Sequence, residues 1–593
     1  MLEGLRRDLR FLTGLIRTLL RVASIAPRSA DLVCDDFERA VDRFEDRPAI
    51  RFEGAELSYA DADALANRCA HWALAQGLAR GEAVALFLPN RAEYLPLWMG
   101  LTKAGVVGAL VNYDLRGQAL AHCLALSGAK RCIVDATTAE ALAAARPFLQ
   151  EAIEVWTLDG PAREVRDLGA ALQAASPGRP PRSGRAGIRA ADMALYIFTS
   201  GTTGLPKAAR INHMRAQLYM RGFAGSTGAR ASDRIYVTLP LYHATGGLCA
   251  TGAALLNGGC VLLRREFSAG HFWSEIAAER ATMFVYVGEL CRYLANQPSA
   301  PDEARHGLRL AFGNGLSAAV WETLERRFAV PRVLEFYGST EGNVYLFNFD
   351  GGLGACGRLP PWLEGFFNVA LVRFDLAAGA PARDGKGRCI RAGVGEAGEC
   401  LGRIAAGART AYSGYVDRAA SEAKVLEGVF KTGDRWFATG DLMRRDRAGY
   451  LYFVDRVGDT FRWKGQNVST GEVEGALMEE PNVAEAVVYG VKVGELEGRA
   501  GMAAMVVGPD FDPKAFAEHI DAKLPPYARP VFLRLEPRID ATGTFKPRKT
   551  NLAGEGFDPA IVGGLLYVRD PGYGFERVTP ERYRAIVAGE TRL

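Results

Sequence analysis

The stretch Tyr196-Ile-Phe-Thr-Ser-Gly-Thr-Thr-Gly-Leu-Pro-Lys207 constrains this chain more than any other. An apolar strand, Ala194 to Phe198, runs into a loop of hydroxyls and glycines closed by one lysine. Gly201 and Gly204 let the backbone approach an anion closely and aim N–H groups at it. Thr199, Ser200, Thr202 and Thr203 add hydroxyl donors, and Lys207 adds a point charge. Such a loop binds phosphate. It is not the G-x-x-x-x-G-K-[ST] loop of P-loop nucleotide hydrolases, because Lys207 follows Pro206 and precedes Ala208. A plain Ser/Thr/Gly surface loop is the alternative that this stretch alone leaves open.

The surrounding pattern narrows the choice. Tyr59–Gln76 and Tyr94–Lys103 have helical patterning, and Glu82–Leu88, Val106–Val111 and Arg131–Asp135 are short apolar runs. Strands alternating with helices predict parallel α/β sheets. Pro177–Gly187 reads as a polar, mobile connector. Beyond the loop, strand Arg309–Phe312 leads into Gly313, Asn314 and Gly315, small residues that suit a flat ring lying on backbone. Val333-Leu-Glu-Phe-Tyr-Gly-Ser-Thr-Glu-Gly342 ends a strand at Tyr337, which can stack on a purine. Thr340 can reach a phosphate oxygen, and Glu341 offers the hard oxygen ligand that Mg²⁺ takes beside phosphates. In Phe437-Ala-Thr-Gly-Asp-Leu442, Asp441 can accept from a ribose diol.

Together these strings, with the continuation Ala208-Ala-Arg-Ile-Asn-His213, resemble the signatures of adenylate-forming enzymes (acyl-CoA synthetases, luciferases, peptide-synthetase adenylation domains) in the family's own order. The resemblance covers nearly the whole chain from about residue 35, and is nearest to the fatty acid transport protein, or very-long-chain acyl-CoA synthetase, branch. It implies an α/β fold: a large N-terminal domain of stacked sheets with flanking helices (35–455) and a small mobile α+β C-terminal domain (456–593). It also implies roles. Gly313–Gly315 look like the adenine shelf and Arg456 like the second ribose-binding residue. Tyr242 and His243 look like an aromatic–His pair lining the acyl pocket, with Gly246 and Gly247 leaving room for the chain. Lys464 and Gly465 match the place where the pantetheine of coenzyme A passes, and Lys546 matches the catalytic lysine. The family's hinge residue is often Asp or Lys; this chain has Gly458, which departs from the pattern yet absorbs backbone rotation readily. The implied activity is ATP-dependent ligation of long-chain or very-long-chain fatty acids to coenzyme A with Mg²⁺, releasing AMP and pyrophosphate. A bile-acid or sterol-acid CoA ligase and a membrane-associated fatty-acid uptake protein acting by metabolic trapping are the alternatives.

The first thirty residues stand apart. Arg6, Arg10, Arg17 and Arg21 fall on one side of a helix, with Leu5, Leu9, Leu12, Ile16, Leu19 and Leu20 opposite. Arg17 interrupts the apolar run, so no stretch of about 20 apolar residues is available for a span. Residues 1–28 suit peripheral contact with an anionic membrane, on the inner face in a cytoplasmic protein; the competing arrangement packs the leucines on the protein's own body and leaves the arginines in water. The near balance of 72 basic and 68 acidic residues gives no reason to expect nucleic-acid binding. Ten scattered cysteines without a C-x-x-C pair point to a reducing compartment rather than a disulfide framework. In the C-terminal part, Ser469-Thr-Gly-Glu472 has capping-box spacing and predicts a helix through Met478. The tail from Tyr567 onward resembles the transport-protein branch but carries no assignable chemistry.

Overall fold

The expected alternation of strands and helices is realised as two mainly parallel sheets in the computed structural model of the chain. The structure describes every residue except Met1 and residues 161–164, 200–204, 377, 406, 408, 495, 497, 542–547, 571–573 and 592. Contacts divide the chain into one unit of Met1–Arg358 with Gly402–Val425 and a second of Leu359–Leu401 with Leu426–Leu593.

In the first unit, a seven-stranded sheet runs Arg166–Asp167, Glu154–Thr157, Arg131–Val134, Ala83–Phe87, Val107–Leu110, Met193–Thr199, Lys207–Asn212. All neighbours are parallel except the last pair, a hairpin. Ala83–Phe87 and Val107–Leu110 are buried at every position. Covered on both faces, a parallel strand needs a continuous apolar run rather than alternation. An eight-stranded sheet carries six parallel strands, with Tyr345–Phe347 and Ala55–Ser58 antiparallel at its edges. The helix Tyr59–Ala75 starts where Ser58 and Asp61 cap each other reciprocally.

One sequence expectation changes in this unit. The connector is pinned rather than mobile. Arg179 pairs with Asp63 at 2.9 Å and Asp42 at 2.7 Å, and buried Arg185 pairs with Asp35 and Glu38, both at 2.9 Å. Lys103, wholly buried, shares Glu38 and Asp63 with them. The partners lie over a hundred residues upstream, so local composition could not reveal the clamp. Of the two arrangements open for the first helix, Leu2–Val22, the structure does not adopt the leucines-inward one: Phe11, Thr18 and Val22 face the protein, while Leu5, Leu9, Ile16 and Leu20 are exposed.

The second unit holds an antiparallel pair, Arg435–Arg445 with Tyr450–Arg456, and a five-stranded mixed sheet ordered Val483–Val491, Ala500–Val507, Phe532–Leu535, Leu565–Asp570, Gly574–Arg577. Val488, Met502, Phe532, Leu533 and Val568 form its dry centre. The tail without assignable chemistry therefore has a structural place, adding two antiparallel strands to this sheet. The cysteines are free and buried. Among the described residues no helix is long and apolar enough to cross a membrane.

Candidate active site

The strands on either side of the proposed phosphate loop, Met193–Thr199 and Lys207–Asn212, form one hairpin, with Thr199 opposite Lys207. Ser200, Gly201, Thr202, Thr203 and Gly204 lie outside the described residues. The far edge of this hairpin is occupied by residues 414–416. Arg210 N–H donates to the Gly414 carbonyl, Val416 N–H donates to the Ala208 carbonyl, both at 2.9 Å, and Ala209 bridges Tyr415. This pairing fixes Tyr415 at the base of the loop. Lys207 Nζ stands 5.7 Å from its ring centroid, and Thr199 and the Glu341 carboxylate lie near enough to the hydroxyl to act on its acidity. Burial, then the negative Glu341, push the Tyr415 phenol well above its ordinary range. So Thr199, Lys207 and Glu341, 142 positions apart at their extremes, meet on one side chain that the sequence did not single out.

Thr340 and Glu341 follow the strand Val333–Gly338 in a turn that Ser339 closes by accepting from Gly342 N–H at 3.1 Å. A second unanticipated residue, Arg215, holds this turn from behind. It sits in the first turn of helix His213–Ser226, where Asn212 accepts from its N–H. Its guanidinium donates to the Thr340 carbonyl at 2.9 Å and the Ser339 carbonyl at 3.1 Å, and lies over the rings of Tyr219 and Tyr345. Arg215→Met should leave the half-buried Thr340 carbonyl short of its donor, while the Ser339 carbonyl keeps the Tyr219 hydroxyl at 3.0 Å. The expected cost is about 1–3 kcal/mol of stability, read in urea unfolding, together with a raised KM for ATP.

The proposed adenine shelf is shaped by absent side chains. A Cβ on Gly313 would collide with the carbonyl and ring of Tyr286, and one on Gly288 would collide with the Gly315 carbonyl. Gly315 takes φ +83°, where a side chain is strained. Behind the shelf, Glu335 is fully buried. The Tyr286 hydroxyl lies 2.5 Å from it, and Leu316 N–H donates to it at 3.0 Å. Burial pushes Glu335 from the ordinary 4.5 up to about 8, against the pull of Tyr286 and the Leu316 and Gly315 amides. With the folded pKa raised, its contribution to stability is full below pH 4.5 and lost as pH rises through about 8. Glu335→Gln should therefore gain on the wild type between about pH 5 and about pH 9 in urea midpoints; parallel profiles would contradict the assignment.

Tyr242 is buried, edge-on to Tyr113 at 5.5 Å and against His243 at 4.5 Å. Its hydroxyl has no hydrogen-bond partner among the described residues. The room expected beside Gly246 and Gly247 is filled by the carbonyls of Leu239, Pro240 and Leu241, and this close backbone approach is what requires glycine there. Both glycines belong to a π-helical turn, Thr245–Ala250, a wide coil that recurs at functional sites. A cavity of about 40 Å³ lies between this turn and the segment Tyr337–Thr340, lined by Thr245, Cys249, Tyr219, Tyr337, Ser339 and Thr340 among others. Ala244, Thr245 and Cys249 of this segment thus share a cavity with Tyr337 and Thr340, while Tyr242, His243, Gly246 and Gly247 do not line it.

In the second unit, Asp441 and Arg456 face each other across the antiparallel pair, with Nε and Oδ1 3.7 Å apart. Two residues near in space can thus serve one diol. Gly458 follows in a turn where a Cβ would meet nothing within 4 Å. Lys464 and Gly465 form the two-residue tip of a hairpin, both left-handed at φ +49° and +77°. The predicted helix is Thr470–Leu477, with Ser469 accepting from Glu472 N–H at 3.2 Å. Lys546 lies outside the described residues.

Residues 37–364 match the AMP-binding enzyme family, and residues 472–546 match the AMP-binding enzyme C-terminal domain. Long-chain fatty acid transport protein 1 of Mus musculus is 40% identical over 99% of this chain and 92% of its own length. Long-chain fatty acid transport protein 5 of Homo sapiens is 40% identical over 100% of this chain and 88% of its own. Among solved structures, an anthranilate CoA ligase in complex with anthranoyl-AMP superposes with a TM-score of 0.75 at 22% identity, covering 90% of this chain and 98% of that one. That likeness establishes the shared fold.

Proposed function

The chain belongs to the AMP-binding enzyme family, in its adenylate-forming acyl-CoA synthetase branch with the long-chain fatty acid transport proteins, and from that premise we propose that it is an AMP-forming ligase of long-chain or very-long-chain fatty acids. ATP and coenzyme A are its co-substrates. The observation that carries the reading is Tyr415, around which Thr199, Lys207 and Glu341 gather.

The fatty carboxylate attacks the α-phosphorus of ATP; a carboxylate–phosphorus bond forms, the bond to the β-phosphate oxygen breaks, and pyrophosphate leaves. Two anions meet in this step, so cations and fixed donors must offset repulsion and hold the line of attack. Lys207, the residue 199–204 loop and Thr340 hold the departing phosphates, and Lys546 bridges carboxylate and α-phosphate. Tyr337 and the Gly313–Gly315 shelf take the adenine, and Asp441 and Arg456 the ribose. Glu341 suits Mg²⁺: it is a half-buried carboxylate beside a phosphate loop, and among the described residues no group of three or more His, Cys, Asp or Glu competes for a metal. Bound there, Mg²⁺ neutralises charge on the phosphates. Tyr242 and His243 form the wall of the acyl pocket, and Gly246 and Gly247 let their turn pack against the carbonyls of residues 239–241. Residues 456–593 then turn about Gly458, and Lys464–Gly465 guide the coenzyme A thiol to the acyl carbon. The thioester forms, AMP leaves, and the thiol proton goes to solvent. The adenylate is already an activated leaving group, so no protein nucleophile is needed.

The test is AMP and acyl-CoA formation across carboxylic acids from acetate to about C24 and including cholate, with ATP and Mg²⁺. Output peaking at long chains supports the reading. A peak at acetate or cholate overturns the chain-length assignment, and no turnover with any acid overturns the ligase.

A further inference from the structure

The chain passes Gly458 inside a loop whose base is pinned. Strand Tyr450–Arg456 ends just before the glycine, and helix Thr470–Leu477 begins beyond it. Between them stands the hairpin that carries Lys464 and Gly465 at its tip. Asp455, on the strand, closes the loop against Thr470, on the helix. Its carboxylate accepts from Thr470 N–H at 2.6 Å and from the Thr470 hydroxyl at 3.0 Å. The Thr460 hydroxyl donates to it at 3.0 Å, and Arg456 N–H at 2.8 Å. One residue earlier, the Val454 carbonyl accepts from the Ser469 hydroxyl at 3.0 Å. Asp455 and Thr470 are both buried. A carboxylate here satisfies an N–H that the first turn of a helix leaves free, at the end of the helix that favours negative charge.

Lys549 joins this pair from a third segment. Its ammonium donates to the Thr470 hydroxyl at 2.8 Å and pairs with Glu474, on the same helix as Thr470, at 2.8 Å. Glu474 also accepts from Val488 N–H in the five-stranded sheet, at 2.8 Å. The one hydroxyl proton of Thr470 goes to Asp455, so a residue that can only donate suits the oxygen's remaining lone pair. Burial pushes the Asp455 and Glu474 carboxyls up, and the Lys549 ammonium pulls both back. Lys549 opens the helix Lys549–Glu555 and stands three positions after Lys546 in the chain. That helix is held at its far end as well, where Glu555 pairs with Arg534, and Leu552 and Ala553 pack on the core of the sheet. Arg548 N–H donates to the Asp540 carbonyl at 3.0 Å. The residues that follow the proposed catalytic lysine are therefore fastened, through Thr470, to the neighbour of the proposed ribose-binding Arg456.

Thr470, Glu474 and Lys549 come after Gly458 in the chain, and Asp455 comes before it. A turn about Gly458 carries the first three as one piece and parts them from Asp455. We propose that Asp455, Thr470 and Lys549 form a latch across the hinge, which holds the residues after Gly458 in the orientation serving one half-reaction and opens between Asp455 and Thr470 each time they turn. Thr470 and Lys549 are positioning residues, acting through Lys546 and Arg456 rather than on substrate. The latch rests on the two-step ligase reading given above.

Thr470→Val tests it in the full chain. The substitution keeps the shape and the backbone N–H and removes the hydroxyl that joins Lys549 to Asp455; Thr470→Ser keeps the hydroxyl. Pyrophosphate release and the transfer of a supplied acyl-adenylate to coenzyme A are measured separately, and deuterium exchange is followed in peptides spanning residues 455–474. In Thr470→Val the ratio of the two half-reaction rates should change at least about fivefold, with KM for ATP and for fatty acid within about twofold of wild type. Exchange over residues 456–470 should quicken at least about fivefold. Thr470→Ser should keep the wild-type ratio. Lys549→Met should move the ratio in the same direction as Thr470→Val, and Lys549→Arg should recover part of the change. Wild-type ratio and exchange in Thr470→Val would overturn the latch and leave the ligase standing. Equal losses in both half-reactions that track a lowered urea midpoint would overturn it too, making Thr470 a packing residue. A wild type inactive in both half-reactions would strike the ligase reading itself, and with it the role given to the latch.

Discussion

Lys546→Ala is expected to lower adenylate formation by about 10²- to 10³-fold while leaving transfer from a supplied acyl-adenylate to coenzyme A nearly intact. The asymmetry follows from where charge gathers. In the first half-reaction a carboxylate approaches a triphosphate, and a cation between them stabilises the transition state more than the separated reactants. In the second half-reaction an uncharged thioester forms as AMP departs, and the proposed turn about Gly458 has by then removed the lysine. Lys546→Arg should recover only part of the loss, because a planar guanidinium keeps the charge without the compact ammonium's reach. Pyrophosphate release and acyl-adenylate consumption are measured separately. Similar losses in both would contradict a lysine that serves one half alone.

Glu341→Gln is expected to lower pyrophosphate release on the order of 100-fold and to move half-maximal activity to higher Mg²⁺ concentration. The substitution is nearly isosteric. The amide keeps the shape of the side chain beside Tyr415, so the loss reports the missing charge. A Mg²⁺ titration of both proteins decides the matter. An unchanged Mg²⁺ dependence with lowered thermal stability would make Glu341 a structural partner of Tyr415 instead.

Much of the fold was legible because its strands are short, apolar and separated by helical patterns. The runs at Ala83–Phe87, Val107–Leu110 and Met283–Val287 need both faces covered, and that need is written in consecutive residues. Thr199, Lys207, Tyr337, Thr340 and Glu341 were legible because glycines, hydroxyls and charges cluster at strand ends. Tyr415 and Arg215 were not. Each acts on a partner far along the chain: Tyr415 through an edge pairing with residues 208–210, and Arg215 through carbonyls at 339 and 340. An isolated tyrosine or arginine carries no local mark of such a role. The same holds for Arg185, whose carboxylate partners turn a polar connector into a clamp. The first helix adds a different lesson. Its amphipathic pattern fixed the existence of two faces but not which one meets the protein; Gly225 and Arg358, both distant in sequence, settle that.

The central claim is that the substrate carboxylate itself attacks the α-phosphorus. The measurement that tests it most directly is the fate of ¹⁸O carried by both carboxylate oxygens of a long-chain fatty acid, followed by mass spectrometry through one turnover with ATP, Mg²⁺ and coenzyme A. Attack by the carboxylate leaves one labelled oxygen in AMP and none in pyrophosphate. Unlabelled AMP, or label appearing in inorganic phosphate, would contradict the account.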